Sequence, residues 1–295
     1  MIIIEVKSLK QKSYAKINLT LDITGILENG YHAICSIMHS VNLYDTITIT
    51  QTTSKKIELT TNLPFLPNDK KNHAFRAAEL FFEATGIKNE GILIEIEKQI
   101  PVSAGLAGGS SNAGTVLKIL NQLFDTGLSI DELCQIGYRI GADVPYCIHG
   151  GTMLAEGIGE RLSPLAPLPQ IPIVLVKPNF GISTPESFRQ WDQMPNHVHP
   201  NTSKIIKAIE EENIETIGAL LCNTLELPTF EIIERNGLDN PIPDIKECML
   251  HFDAYGALMS GSGPTIFGFF PSMDLANCAA EKLKAITNQV FVTTT

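Results

Sequence analysis

Alternation of hydrophobic and polar residues marks the first strong element of the chain. Apolar residues fall at every second position from residue 15 to residue 23, with polar residues between them. This spacing predicts a half-buried β-strand whose polar face is either exposed or functional. The apolar side is Ala15, Ile17, Leu19, Leu21 and Ile23, and the polar side is Lys16, Asn18, Thr20 and Asp22. Isoleucines at every second position predict further strands at 46–50 and 92–96.

Apolar residues spaced three and four apart predict helices in the segments 72–84 and 110–127, the second ending at its glycine. A third helix is expected to begin after Ser129, because Ser129 and Glu132 have the spacing of a capping box. We expect this helix to stop at Gly141. Strand and helix signals therefore alternate through the first half of the chain.

Four prolines between positions 164 and 172 form the clearest candidate for a domain junction. At about 150 residues per domain, a chain of 295 residues has room for two domains, which this junction would divide into 1–163 and 164–295. A buried strand is predicted at 173–176. A strand, a glycine turn and a second strand are predicted between 258 and 266.

The composition is that of an ordinary globular protein, with 44% hydrophobic residues, 18% charged residues and a formal net charge of −10. An acidic chain is a poor partner for nucleic acid, whose phosphates bind basic surfaces. The start of the chain, 1–12, has only a short apolar run, and no stretch is long and apolar enough to span a membrane. We therefore expect a cytoplasmic protein that binds neither nucleic acid nor membrane. The cysteines lack metal or redox spacing and are expected to be reduced core thiols: Cys35, Cys134, Cys147, Cys222, Cys248 and Cys278.

The most informative stretch is the glycine-rich segment 101–114, which lies between a predicted strand and a predicted helix. Gly105, Gly108 and Gly109 let backbone amides converge without a Cβ in the way, and the helix dipole favours negative charge at this end. The pattern is typical of an anion cradle, with a nucleotide triphosphate as the expected ligand. A glycine turn with a serine N-cap is the alternative. The segment matches neither a Walker loop nor the G-x-G-x-x-G fingerprint.

Three further features could carry chemistry. Lys16 is either a solvated lysine or the charge that neutralises a transferring phosphoryl group. Asp143, expected just past a helix end and followed by apolar residues, is either a paired buried group or a working base. The glycine segment 260–265 is either a hairpin turn or a loop that closes over the first glycine segment.

These features belong to six motifs spread over essentially the whole chain. They are Tyr14-Ala15-Lys16-Ile17-Asn18-Leu19, Asn29-Gly30-Tyr31-His32, the loop 101–112, Gly141-Ala142-Asp143-Val144-Pro145, Ala155-Glu156-Gly157-Ile158-Gly159-Glu160 and the segment 260–265. In this order they resemble the GHMP kinase superfamily. The motifs A-K-I-N-L, G-Y-H and G-A-D-V-P narrow the resemblance to its family of 4-diphosphocytidyl-2-C-methyl-D-erythritol kinases.

The resemblance implies a two-domain α+β fold, with an N-terminal GHMP kinase ATP-binding domain like domain 2 of ribosomal protein S5 and a ferredoxin-like C-terminal domain. The active site would lie in the cleft between them. The implied enzyme uses ATP to phosphorylate the 2-hydroxyl of 4-diphosphocytidyl-2-C-methyl-D-erythritol in the non-mevalonate (MEP) isoprenoid pathway. Asp143 would accept the hydroxyl proton beside Lys16, its electrostatic partner, in a direct phosphoryl transfer. Mg²⁺ is expected with the ATP, and its protein ligands stay open, with Ser111 as one candidate.

The resemblance also assigns binding residues. ATP contacts fall on the glycine loop and on an asparagine at a helix start: Pro101, Val102, Ser103, Ala104, Gly105, Leu106, Ala107, Gly108, Gly109, Ser110, Ser111, Asn112 and Asn72. Cytosine would stack between Tyr31 and Phe188 and hydrogen-bond His32, with core packing as the alternative role of the two aromatic rings. The substrate pocket would also include Asn18, Thr184 and, where some relatives carry an aromatic residue, a softer wall at Met38.

Three other functions stay open. A superfamily kinase for homoserine or mevalonate would share the glycine loop, although Tyr31, His32 and Phe188 speak against it. A non-catalytic sensor would be expected to lack Lys16 or Asp143, and both are present. A glycine-rich binding module without ATP would be excluded by ATP-dependent ADP release. We expect a monomer or homodimer that acts on a small molecule. The histidines expected to be structural or superficial are His39, His73, His149, His197, His199 and His251.

Overall fold

The structure is a computed structural model that describes residues 7–295, so the apolar start of the chain, 1–6, lies outside the described residues. The chain forms two compact units that interleave along the sequence. The first holds the chain up to Ala15 with Tyr44–Ile100 and Ala107–Gly150, and the second holds Lys16–Leu43, Pro101–Leu106 and Gly151–Thr295. The proline-rich segment 164–172 lies wholly in the second unit. It does not separate the units, and the domain boundary at 163/164 stays a prediction.

The core of the first unit lies between a sheet and helices. The strands are β1 (Ser8–Ile26), β2 (His32–Gln51), β3 (Ile57–Thr61) and β4 (Ile92–Glu97), and β1 and β2 also run into the second unit. β4 pairs antiparallel with β2, where Ile96 lies opposite Ile47, and parallel with β3, where Ile94 lies opposite Leu59. These side chains are buried, which confirms the strands predicted at 46–50 and 92–96.

The helices described in the first unit are α1 (His73–Thr85), α2 (Gly108–Leu123), α3 (Ile130–Tyr138) and α4 (Asp143–His149). The capping box is confirmed, because the side chains of Ser129 and Glu132 each accept a hydrogen bond from the other's backbone amide. α2 begins at Gly108, earlier than predicted, and α3 ends at Tyr138 rather than at Gly141. Helix ends are set by hydrogen bonding, and each glycine comes a few residues later.

α4 corrects the expectation for Asp143. The residue was expected just past a helix end, and it is instead the first residue of a new short helix. Pro145 is tolerated there, because first-turn amides have no acceptor within the helix. The sequence signal was misleading because Gly141 lies just before this helix and Pro145 lies within its first turn.

The elements that lie wholly in the second unit are, in chain order, β5 (Thr152–Gly157), β6 (Arg161–Pro164), β7 (Pro172–Val176), α5 (Thr184–Gln193), α6 (Thr202–Glu210), α7 (Ile214–Ala219), β8 (Cys222–Asn223), α8 (Glu226–Arg235), α9 (Ile242–His251), β9 (Gly256–Met259), β10 (Ile266–Phe269), α10 (Met273–Leu283) and β11 (Val290–Thr294). Four of the strands form an antiparallel sheet in the order β11-β7-β10-β9. Helices α8, α9 and α10 contribute to the core of this unit. The predicted strand at 173–176 and the strand, turn and strand between 258 and 266 are confirmed.

Three of the four residues on the polar side of β1 are buried, which corrects the expected half-buried strand, and the fourth, Asp22, is half-buried. Lys16 is 5% exposed, and Asn18 and Thr20 are also buried. Lys16 Nζ donates to Asn18 Oδ1 (2.5 Å) and Asn18 Nδ2 donates to Ser36 Oγ (2.8 Å). The Ser36 hydroxyl donates in turn to the Thr20 carbonyl (2.6 Å). Buried polar groups that are hydrogen-bonded in this way are stable, so the solvated-lysine alternative for Lys16 is wrong.

No disulfide joins any of the six cysteines, all of which lie among the described residues. Five are half-buried and Cys278 is exposed, so the expectation that the thiols lie in the core is wrong. Burial raises the pKa of Cys134 to about 11, which keeps it a thiol. None of the helices described between residues 7 and 295 is long and apolar enough to cross a membrane.

Candidate active site

The N-terminus of α2 carries no side-chain cap. Its N-cap residue is Ala107, held in the left-handed region at φ 54°, and the first turn contains no acidic residue. The first amides of a 16-residue helix are therefore left to a ligand or to solvent, at the end where the helix dipole is positive. The serine N-cap alternative is wrong, and the arrangement suits a phosphate group.

Close neighbours surround the two glycines that begin this helix. A Cβ on Gly108 would lie 3.0 Å from Ile100 Cγ2 and 3.3 Å from Lys98 Nζ, and a Cβ on Gly109 would lie 3.3 Å from His73 Nδ1. Burial lowers the pKa of His73 below its ordinary value, which favours the neutral ring. The backbone at the helix start is thus flanked by a lysine and a histidine that no sequence motif indicated.

A buried carboxylate organises the residues around this helix start. Asp45 Oδ1 accepts from the backbone amides of Gln99 (2.7 Å) and Ile100 (2.8 Å). Its Oδ2 accepts from Asn112 Nδ2 (2.8 Å) and from Lys98 Nζ. Lys98 Nζ also donates to Asn112 Oδ1 at 3.1 Å. The network ties the chain before the glycine loop to the first turns of α2, and it holds Asn112 inside the protein.

Two further predicted ATP residues, besides Asn112, have side chains engaged within the first unit. Ser111 is buried, its hydroxyl donates to the Tyr14 carbonyl (2.6 Å), and it also contacts Ser13 Oγ (2.8 Å). Burial at 2% exposure counts against Ser111 as a Mg²⁺ ligand, and the neighbouring Ser110 is the less buried of the two serines. Asn72 is the N-cap of α1, where its Oδ1 accepts from the Ala74 amide (3.0 Å).

Asp143 is half-buried at the start of α4. Within its unit, no described residue forms an ion pair or a hydrogen bond with its carboxylate. The alternative of a paired buried group is therefore not supported, and a carboxylate without a partner is what a base requires.

In the second unit the glycine loop meets the glycine segment 260–265. The Ser260 hydroxyl donates to the Gly105 carbonyl at 3.0 Å. A Cβ on Gly105, which has φ 74°, would lie 2.1 Å from the Ser260 carbonyl oxygen, so no other residue fits. The predicted closure of one glycine segment over the other is confirmed, and the same segment also forms the β9–β10 hairpin turn.

Lys16 lies beside both glycine segments. Its backbone amide donates to the Leu106 carbonyl at 3.2 Å. Its Nζ would lie 3.4 Å from a Cβ on Gly261. Within the second unit, no described carboxylate forms an ion pair with Lys16, so its charge remains available to an anion.

The residues predicted to hold a pyrimidine are partly brought together. The rings of His32 and Phe188 lie 4.9 Å apart between centroids, and Thr184 Oγ1 contacts Ser262 Oγ at 2.8 Å. Tyr31 is 62% exposed, so core packing is wrong for Tyr31. Phe188 is half-buried and packs against the core of the second unit, so core packing is confirmed for Phe188. Thr184 is the first residue of α5 rather than part of a turn. Met38, which was expected to form a softer wall of the substrate pocket, is fully buried in β2.

Comparison with known proteins gives the family. One family model, the N-terminal domain of GHMP kinases, matches residues 72–151, and another, the C-terminal domain of GHMP kinases, matches residues 205–287. The 4-diphosphocytidyl-2-C-methyl-D-erythritol kinase of Clostridium tetani is 47% identical over 287 residues, 97% of this chain and 100% of that protein. The kinase of the same name from Caldicellulosiruptor bescii is 44% identical and covers 97% of this chain and 98% of its own. The chain belongs to this family of GHMP kinases.

Solved structures confirm the two-domain α+β fold of a GHMP kinase. A crystal structure of 4-(cytidine 5'-diphospho)-2C-methyl-D-erythritol kinase is 31% identical with a TM-score of 0.80, covering 97% of this chain and 98% of that chain. A homoserine kinase from Cytophaga hutchinsonii, at 20% identity over 97% of this chain and 94% of its own, has a TM-score of 0.75. It shares the fold.

Several residues of this GHMP kinase were missed by sequence reasoning. Asp45 and Lys98 stand 53 residues apart, outside any motif, and only the fold brings them together. His73 was expected to be structural, and it lies against the glycine loop. Asp192 follows Phe188 by four residues on α5, and this helical spacing was the one signal that could have linked it to His32.

Proposed function

We propose that this GHMP kinase uses ATP to phosphorylate the 2-hydroxyl of 4-diphosphocytidyl-2-C-methyl-D-erythritol in the cytoplasm, as a step of the non-mevalonate isoprenoid pathway. The observation that carries the proposal is the uncapped N-terminus of α2. It occurs in a chain that matches a 4-diphosphocytidyl-2-C-methyl-D-erythritol kinase over that protein's full length. We also retain domains at 1–163 and 164–295, since the family-model matches fall within them.

In this proposal Asp143 accepts the proton of the substrate hydroxyl. Lys16 supplies a positive charge that keeps the carboxylate ionised and stabilises charge on the phosphoryl oxygens. Phosphoryl transfer needs no covalent enzyme intermediate, so positioning and electrostatics can carry the reaction. The absence of a partner for Asp143 and of a carboxylate for Lys16 within their own units supports these roles.

The loop 101–112 would hold the triphosphate through its backbone amides, with Asn72 near the adenine. ATP with Mg²⁺ supplies the phosphoryl group and neutralises its oxygens. Among residues 7–295 no three His, Cys, Asp or Glu side chains cluster as metal ligands. A Mg²⁺ ion would then be held mainly by phosphate oxygens and water, as is common for this ion.

The cytidine end would lie at Tyr31, His32 and Phe188. The exposed ring of Tyr31 is available for stacking on a pyrimidine, and the half-buried ring of Phe188 lies beside His32. Asn18 and Thr184 would orient the methylerythritol part of the substrate.

A coupled assay of ADP release tests the proposal. We expect release with ATP and 4-diphosphocytidyl-2-C-methyl-D-erythritol, and none above background with homoserine or mevalonate. Asp143→Asn should lower kcat by about 10²–10⁴-fold. Asp239→Asn, which removes the same charge from an exposed loop, should not. Release with homoserine or mevalonate instead would establish the alternative kinase, and release with none of the three would contradict the proposed activity.

A further inference from the structure

His32 has its ring held in one orientation by two residues of one helix. Phe188 and Asp192 are four residues apart on α5 and so lie on the same face. Phe188 lies against the His32 ring at 4.9 Å, with the ring planes tilted by 35°. Asp192 Oδ1 lies 2.8 Å from His32 Nε2. The phenylalanine positions the face of the imidazole, and the aspartate positions one of its nitrogens.

The aspartate is itself held in place. The neighbouring Trp191 donates from Nε1 to Thr224 Oγ1 at 3.0 Å and stacks on His197 with centroids 3.8 Å apart. Trp191 also meets the His32 ring edge-on at 6.0 Å. These contacts fix the last turns of α5, and with them the direction from which Asp192 approaches His32.

The partner decides which nitrogen of His32 carries the proton. A carboxylate can only accept hydrogen bonds, so the hydrogen between the two groups belongs to Nε2. In the neutral imidazole the other nitrogen, Nδ1, is then a hydrogen-bond acceptor. No residue among 7–295 forms a hydrogen bond with Nδ1 of His32, which leaves this acceptor to a ligand.

The two pyrimidines present opposite groups to such an acceptor. Cytosine carries an exocyclic amine, a donor, where uracil carries a carbonyl oxygen, an acceptor. If Nδ1 of His32 faced the carbonyl oxygen of uracil, two acceptors would meet and neither would form a hydrogen bond. A polar group without a hydrogen bond is unfavourable in a pocket with little water.

We propose that Asp192 is a positioning residue that makes the site select cytosine over uracil, by holding His32 with the proton on Nε2 so that Nδ1 accepts from the cytosine amine. This inference rests on the proposed function, because it takes His32 as a residue of the cytidine pocket. Asp192 acts through His32 and has no contact with the reacting phosphoryl group.

Base preference in the Asp192→Asn variant tests the inference. We expect the wild-type protein to bind CDP more tightly than UDP by on the order of tenfold, measured by calorimetry at about pH 8.5. An asparagine can donate to Nε2 and so permits the opposite tautomer. In Asp192→Asn and in Asp192→Ala the CDP/UDP ratio should fall to about one or below. Asp239→Asn, the matched loss of an exposed charge, should keep the wild-type ratio.

Nitrogen-15 NMR of labelled histidine provides a readout that does not depend on any nucleotide. The His32 signals, identified by their loss in His32→Gln, should show a protonated Nε2 and an unprotonated Nδ1 in the wild type, and mixed or reversed states in Asp192→Asn. A wild-type protein that binds CDP while Asp192→Asn keeps both the tautomer and the CDP/UDP ratio would overturn the inference alone. A wild-type protein that binds neither nucleotide would overturn the cytidine pocket of the proposed function, and the inference with it.

Discussion

Two lysines of this chain have little exposure at the side chain or the whole residue, and their surroundings differ in charge. The side chain of Lys98 is 6% exposed and pairs with Asp45, whose carboxylate is fully buried. Lys16 is 5% exposed. Among the described residues of its own unit, the side-chain group that accepts from Lys16 is the neutral amide oxygen of Asn18. The fold neutralises one buried cation and leaves the other positive.

This difference separates a structural lysine from one suited to phosphate chemistry. A buried charge without a counterion destabilises a folded chain by several kcal/mol. Lys98 avoids this penalty and fixes the start of α2 through Asp45. Lys16 remains a positive charge beside two glycine segments, in a chain whose overall charge of −10 would otherwise repel phosphates.

The largest expected effect is on stability at the paired lysine. Lys98→Met removes the cation and leaves the Asp45 carboxylate buried, so the free energy of unfolding should fall by about 3–5 kcal/mol in urea titrations. Lys16→Met removes an uncompensated charge and should leave stability unchanged or higher. Adding Asp45→Asn to Lys98→Met should recover part of the loss. Equal destabilisation by the two lysine substitutions would remove the distinction between them.

The buried residue His39 is a third basic side chain to compare with the two lysines, and its burial favours the neutral form of the ring. Burial lowers the pKa of His39 from 6.5 to about 4. Its Nδ1 contacts Thr152 Oγ1 at 2.9 Å, while its Nε2 has no partner among the described residues. Because the unfolded chain takes up this proton at a higher pH than the folded chain, stability should fall as the pH falls from 6.5 to 4.

We expect this fall to reach about 3 kcal/mol below pH 4. The contribution is absent above pH 6.5, where both states are neutral. Unfolding measured against pH should show this component in the wild type and in His251→Gln, an exposed histidine control, but not in His39→Gln. The same pH dependence in His39→Gln would show that His39 does not cause it.

The sequence predicted the strands and helices around the site better than the burial of its polar side chains. Apolar residues at every second position located the strands at 46–50 and 92–96. Apolar residues three and four apart located the helices before and after the glycine loop. Both patterns arise because these elements bury one apolar side. β1 broke the rule, since Lys16, Asn18 and Thr20 are buried against each other. A pattern of hydrophobicity cannot show that polar groups satisfy one another across strands.

Long-range pairs were beyond prediction for a related reason. In the sequence, Asp45 is an ordinary acid next to the predicted strand 46–50, and nothing linked it to Lys98 or to the amides of Gln99 and Ile100. The resemblance named Ser111 and Asn112 as ATP residues, and it could not indicate that both side chains are engaged inside the first unit. The presence of the glycine loop before a helix was predictable, whereas the left-handed Ala107 at the helix start and the side-chain partners depended on the tertiary fold.

The smallest effect expected is from converting one lysine environment into the other. Asn18→Asp would give Lys16 a carboxylate at the position of the present amide, so its charge would be neutralised as that of Lys98 is. Turnover should fall by on the order of tenfold in a folded protein. Ser36→Ala breaks the same hydrogen-bond chain without adding charge, and its turnover should stay near that of the wild type. Equal losses in the two variants would mean that geometry rather than charge matters here.

The most direct test of the account is the turnover of Lys16→Met, measured by ADP release with ATP and 4-diphosphocytidyl-2-C-methyl-D-erythritol beside its free energy of unfolding. The account predicts a kcat lower by on the order of 100-fold or more with stability retained. A folded Lys16→Met protein that turns over at the wild-type rate would contradict it.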